Sequence, residues 1–170
     1  VGTADAEFAV IEGPGFFSRR KAGADEVQQF SRLLTAASRD YPRGELVMDI
    51  IKWDIERIRD AGARLQDRGG AQLTGLAYVD GVIVGLCEVV RFLADDAKVC
   101  ELGLVYVLPE HRGRGIGSAL LRASLTRAKQ IWEDLETVYC SYPADSPAAN
   151  AIMRGLDAEV VSSTTAWQKR

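Results

Sequence analysis

Histidine occurs only once in this chain of 170 residues, at His111, and cysteine only three times, at Cys87, Cys100 and Cys140. The cysteines are odd in number, far apart and each set in an apolar stretch, which disfavours a disulfide framework and points to buried, reduced thiols. Without paired Cys or His ligands at short spacing, no metal site is expected. No apolar run approaches the ~20 residues that span a bilayer, and the first residues lack the basic-then-apolar pattern of a secretory signal. The expectation is a cytoplasmic protein with no membrane partner. A charge excess is missing as well, since 21 Lys and Arg stand against 24 Asp and Glu. That balance supplies no general field for nucleic acid, so no nucleic-acid partner is expected.

What is present is core-forming material: 47% of the residues are hydrophobic. At this length the sequence reads as a single domain over residues 1–170. Residues Glu7 to Glu12 alternate as a strand,. From Asp25 to Arg39, Val27, Phe30, Leu34 and Ala37 recur at helical spacing,. A longer helix is predicted after Tyr41-Pro42-Arg43-Gly44, on a stripe of Val47, Ile51, Ile55, Ile58 and Leu65, ending at Gly69-Gly70,. Strands follow at Gln72 to Tyr78 and Val82 to Val90, joined by the tight turn Asp80-Gly81,. A second hairpin is implied at Asp95-Asp96, and the nearly continuous apolar run Val99 to Leu108 reads as a strand covered on both faces,. Leu121, Leu125, Ala128 and Trp132 mark another amphipathic helix,. Val138 to Tyr142 reads as a strand, Pro147 to Arg154 as a short helix, and Val160 to Gln168 as one or two closing strands,.

Between the apolar strand and its following helix lies Arg112-Gly113-Arg114-Gly115-Ile116-Gly117. A glycine-rich turn opening a helix is an anion site, because the first N–H groups lack intrahelical partners and the helix dipole adds about half a positive charge there. Missing Cβ atoms let the backbone approach a pyrophosphate, and Arg112 and Arg114 add charged donors. A P-loop needs Gly-Lys-Ser/Thr after its last glycine, whereas Ser118-Ala119 follows here,. A dinucleotide fingerprint needs Gly-x-Gly-x-x-Gly after a first strand, and both spacing and position differ.

Val107-Leu108-Pro109 followed by this loop resembles the motif Arg/Gln-x-x-Gly-x-Gly/Ala of the GNAT superfamily of N-acetyltransferases. The order of elements from about Phe8 to Gln168 is similar too, which implies a mixed α/β (α+β) GNAT fold: a central, mostly antiparallel twisted sheet flanked by about four helices. The C-terminal part, with Trp167-Gln168 near its end, also resembles halves of tandem GNAT proteins.

The resemblance implies acetyl-CoA as co-substrate and no metal. It places Val105, Tyr106 and Val107 along the pantetheine arm, the amides of Gly113, Arg114, Gly115, Ile116, Gly117 and Ser118 around the pyrophosphate, and Arg112 beside them. An N–H near Val107 would stabilise the oxyanion. Attack requires a neutral amine, hence a base. Glu101, eleven positions before Arg112, matches the offset of a glutamate base in some family members; simple alternation would put it on the face of Val105 and Val107. Glu88 is the reserve.

The general acid is where the pattern departs. The family's tyrosine falls at Met153, and Asp157-Ala158 stands for the usual Gly-Phe. A thioether donates no proton. Tyr142 or Tyr106 could substitute, as could water. Asn150 could bond pantetheine or cap a turn, and His111 is expected at the surface. The acceptor is a primary amine of a small molecule or peptide. The alternatives left open are a non-catalytic CoA-binding module or tandem half, and an acyltransferase with another acyl donor or an oxygen or sulfur acceptor. A homodimer is compatible with all of these.

Overall fold

The computed structural model describes residues 5–13, 23–43, 46–92 and 98–169. Five strands form one sheet in the order β1 (Ala6–Glu12), β2 (Gly70–Val79), β3 (Val82–Phe92), β4 (Val99–Val107) and β5 (Thr137–Tyr139). Neighbouring pairs are antiparallel except β4 with β5, which run parallel. The β2–β3 turn takes Asp80 and Gly81 to φ of 50° and 75°, the left-handed pair that suits strand twist. The hairpin expected at Asp95-Asp96 lies outside the described residues.

Helix α3 (Ile116–Ile131) covers one face, where Ile116, Leu120, Leu121 and Ala128 pack with Cys87, Val89, Cys100 and Leu102. Close approach is enforced at Gly75, where an added Cβ would stand 2.2 Å from Ser124 Oγ. Burial pushes the Cys87 thiol up to about 12 and the Cys100 thiol to about 11, so both are neutral hydrophobes near pH 7. Arg91, 6% exposed near the end of β3, is held by both carboxylate oxygens of Asp134 at 2.6 and 2.7 Å. That bidentate pair ties the sheet to the chain leaving α3.

Helices α1 (Ala24–Asp40) and α2 (Ile55–Asp67) cover the other face with Phe30, Leu33, Leu34 and Ile58 over Leu76, Leu86 and Tyr106. The stripe read as one long helix therefore starts late. Val47 is 75% exposed and residues 46–54 are not helical. Hydroxyls of α1 take the backbone groups that helix formation would have used. Ser38 Oγ accepts from Ile51 N–H at 3.1 Å, Thr35 Oγ1 accepts from Trp53 N–H at 3.0 Å, and Ser31 Oγ donates to the Trp53 carbonyl. Arg43 adds a bond to the Met48 carbonyl at 2.7 Å. Asp54 then caps α2 by accepting from Arg57 N–H at 2.8 Å,.

The closing strands expected at Val160 to Gln168 are absent: after α4 (Pro147–Gly155) these residues are irregular, exposed and outside the sheet. Strand propensity is realised only against a paired neighbour, and among the described residues this segment meets one side chain's worth of pairing. The Gln168 amide accepts from Val47 N–H at 2.9 Å and donates to the Val47 carbonyl at 3.1 Å.

Candidate functional site

Strands β4 and β5 pair only at Val99–Thr137, Cys100–Val138 and Glu101–Tyr139. Beyond that point they part, and a cleft of about 610 Å³ opens between residues 102–107 and 140–143. The edge of β4 is thereby left free to pair with an extended ligand. At its far end the cleft meets the glycine turn. Gly113 and Gly115 adopt φ of 72° and 75°, a region unfavourable to side chains, and Gly115 N-caps α3 with no side-chain cap bond,. The first backbone bond of α3 runs from Ala119 N–H to the Gly115 carbonyl at 3.0 Å. The N–H groups of Ile116, Gly117 and Ser118 thus have no intrahelical acceptor, and no acidic side chain occupies the first turn.

Of the loop side chains, Arg112 is turned back. Its Nε donates to the Val107 carbonyl at 2.8 Å, its guanidinium lies 5.3 Å from the centre of the Tyr106 ring, and Nη2 is 4.0 Å from Asp40. Asp40 is held below the usual carboxylate range, first by the Tyr106 hydroxyl and then by Arg39. Tyr106, 8% exposed, is pushed up to about 12 by burial and by this bond to Asp40. Its proton is committed to Asp40, which weakens its standing as an acid. Arg114 points to His111 Nδ1 at 3.4 Å and to Asp5 at 3.8 Å and does not itself line the cleft. His111, expected at the surface, sits half-buried in the turn Pro109–His111 and lines the cleft.

Tyr142 and Met153 both line the cleft, and Met153 Sδ lies 3.4 Å from Cys140 Sγ. Asn150 does not line it; its amide donates to the Ala144 carbonyl at 2.9 Å and fixes the loop before α4. Val105, Tyr106 and Val107 line it as well.

The face assigned to Glu101 needs correction. A β-bulge breaks the β3–β4 register between Glu88 and Val89: Glu88 faces Leu104 while Val89 faces Leu102, leaving Gly103 as the extra residue,. Alternation flips there. Cys100, Leu102, Val105 and Val107 all pack toward α3, whereas Leu104 and Tyr106 pack toward α1. Glu101, between Cys100 and Leu102, consequently lies on the α1 face, opposite the side expected.

Glu88 lies on that same face, where a second cavity of about 380 Å³ is walled by α1, α2 and Trp53. Ala37, Tyr41 and Leu104 line both cavities, so the two adjoin across β4 at the bulge. A Cβ at Gly103 would stand 3.9 Å from the Glu88 carboxylate. Desolvation by the surrounding apolar side chains pushes Glu88 up to about 7,. The sequence held one hint of this, a glutamate between the buried Cys87 and Val89; the bulge that sets its neighbour had no readable signature. Among the described residues no group of three His, Cys, Asp or Glu could hold a metal, and no helix is long and apolar enough to cross a membrane.

Residues 30–155 match the model of the acetyltransferase (GNAT) family. An uncharacterized N-acetyltransferase of Archaeoglobus fulgidus is 31% identical over 117 residues, 64% of this chain and 71% of that protein. Among solved structures, the aminoglycoside N-acetyltransferase AAC(6')-Iy in complex with CoA superposes with a TM-score of 0.62 at 14% identity, covering 97% and 96% of the two chains. A tandem GNAT protein from the clavulanic acid biosynthesis pathway gives 0.67 at 18% identity, covering 91% of this chain and 42% of the other. A ribosomal-protein-alanine N-acetyltransferase from Brucella melitensis biovar Abortus 2308 gives 0.59 at 19%, covering 96% and 99%.

Proposed function

The chain belongs to the GNAT acetyltransferase family, and from that premise we propose that it transfers an acetyl group from acetyl-CoA to a primary amine of a small molecule or peptide. One observation carries the reading: the free edge of β4 runs into uncapped amides at the start of α3, within a single cleft. A pyrophosphate fits the glycine turn, because two left-handed glycines and a helix start without a side-chain cap leave main-chain donors facing it,. Bound there, acetyl-CoA supplies an activated acyl group. The residues of the chain do the rest.

Ile116, Gly117 and Ser118 offer N–H groups to the diphosphate, and residues 105–107 of β4 align the arm. Glu88 accepts the proton that an acceptor ammonium must lose; a carboxylate near pH 7 is matched to that task,. Glu101, on the same face, is the second carboxylate for this role and the one the family offset favours. Tyr142, in the cleft wall, is the proposed donor to the departing thiolate.

A second reading, a CoA-binding module without turnover, is favoured by Met153 in place of the family tyrosine. A longer acyl donor, or an oxygen or sulfur acceptor, keeps the same cleft. A cytoplasmic location and a homodimer are expectations of the proposal, checked by fractionation and light scattering. The primary test is calorimetry with coenzyme A and acetyl-CoA, followed by thiol release across amine acceptors. Affinity plus amine-dependent release supports the transferase; affinity without release supports the silent module; no affinity overturns both.

A further inference from the structure

The cavity beyond β4 carries a chemical signature of its own. Its walls are Phe30, Leu34, Trp53, Ile58 and Leu104, and among the described residues Glu88 is the one carboxylate that lines it. Arg64 and Arg68, one turn apart at the exposed end of α2, are the cations. Trp53 is not loose: its N–H and carbonyl are both held by α1 hydroxyls, and Arg57 stacks 6.0 Å from its ring centre. A planar wall is therefore in place before any ligand arrives.

Resting on the acetyltransferase reading above, we propose that this cavity selects a monoamine carried on an apolar, arene-sized body and rejects polycationic amines. Desolvation by burial is the one influence that moves Glu88, and among the described residues no donor holds its carboxylate. A half-buried, apolar-walled carboxylate of that kind is satisfied by one incoming ammonium,. Further ammonium groups on the same ligand would meet an apolar wall or two guanidiniums, and an unpaired cation there is costly. An aromatic or branched aliphatic body instead buries against Phe30, Leu34 and Trp53, with stacking available at the indole.

The test uses the full chain, 2-phenylethylamine as the arene monoamine and kanamycin as the polycation. Thiol release from acetyl-CoA should show kcat/KM at least about tenfold higher for 2-phenylethylamine. Trp53→Ala should lower that value by about tenfold, mainly through KM. The exposed pair Arg64→Glu with Arg68→Glu should leave the fold intact and narrow the preference by raising kanamycin use. Calorimetric titration of each amine without acetyl-CoA reports the cavity independently of turnover. If coenzyme A fails to bind but 2-phenylethylamine binds and kanamycin does not, the transferase reading falls and the cavity assignment stands. Equal or tighter binding of kanamycin, binding of neither amine, or indifference to both sets of substitutions overturns the proposal.

Discussion

The two cavities that meet at Leu104 are built from different materials. On the α3 side the cleft relies on main chain: an unpaired strand edge, two left-handed glycines and amides with no intrahelical acceptor. On the α1 side the walls are side chains, and a single carboxylate gives the pocket its chemistry. Main-chain sites tolerate changes of side chain and fail when the backbone is forced elsewhere. Side-chain sites fail one functional group at a time. The comparison makes definite forecasts, because substitutions of similar size should have unequal effects on the two sides.

The largest effect is expected at Glu88. Glu88→Gln removes the base and should lower the acetylation rate by about a hundredfold or more, while acetyl-CoA affinity changes little. The wild-type rate should rise with pH through about 7, the value to which burial moves this carboxyl. The same shift has a stability consequence of opposite sign. The folded value lies above the ordinary 4.5, so ionisation opposes folding; the penalty is absent below 4.5, grows up to about 7 and is complete above it. Glu88→Gln should then be more stable than wild type at pH 8, by at most about 3 kcal/mol, and no more stable at pH 4,. Thermal or urea unfolding at the two pH values measures this. A variant that loses activity without gaining stability at pH 8 would mean that Glu88 has a partner in the folded protein.

Next in size is the backbone of the turn. Gly115→Val places a β-branched residue at φ of 75°, a strain of about 1–2 kcal/mol even before the amides are displaced. Coenzyme A affinity should fall by roughly thirtyfold, measured by calorimetry. Gly117→Ala provides the control, because its new methyl would meet Val107 Cγ2 at an ordinary 3.6 Å. Any affinity lost there reports how closely the ligand approaches the backbone, not a rearranged turn.

These two sides were also unequally legible. The turn could be read from residues alone, because three glycines, two arginines and the flanking periodicities occupy adjacent positions. Its geometry is local. Whatever depends on distant partners was not legible. The segment carrying Val47 and Ile51 has helical spacing, yet its backbone groups are taken by Ser38, Thr35 and Ser31 of α1, and nothing in spacing shows that competition. The bulge at Gly103 moves Glu101 to the other face, since one inserted residue inverts a period of two,. The β-branched run from Val160 reads as strand but pairs with no strand among the described residues,.

Third comes Glu101→Gln, which discriminates between the two carboxylates on the α1 face. With Glu88 as the base, the rate should drop by no more than about tenfold, through a changed field at the acceptor nitrogen. A loss equal to that of Glu88→Gln would transfer the role to Glu101, or make the pair a unit whose losses do not add. The double variant separates these, because members of a unit cost no more together than apart.

The smallest effect is expected at Arg112, although it heads the motif. Its Nε bond to the Val107 carbonyl and its place over the Tyr106 ring, close to Asp40, spend the guanidinium on holding the turn against β4. An amide can make the carbonyl bond, so Arg112→Gln should keep coenzyme A affinity within about threefold, whereas Arg112→Ala, which cannot, should cost about tenfold. Were the guanidinium instead a direct phosphate ligand, both substitutions would weaken binding alike, and wild-type affinity would fall more steeply with salt than that of either variant. Calorimetry at low and high salt on the three proteins decides between a clasp and a ligand. A shared loss with a reduced salt slope would place a side chain at the centre of the cleft assigned here to main chain.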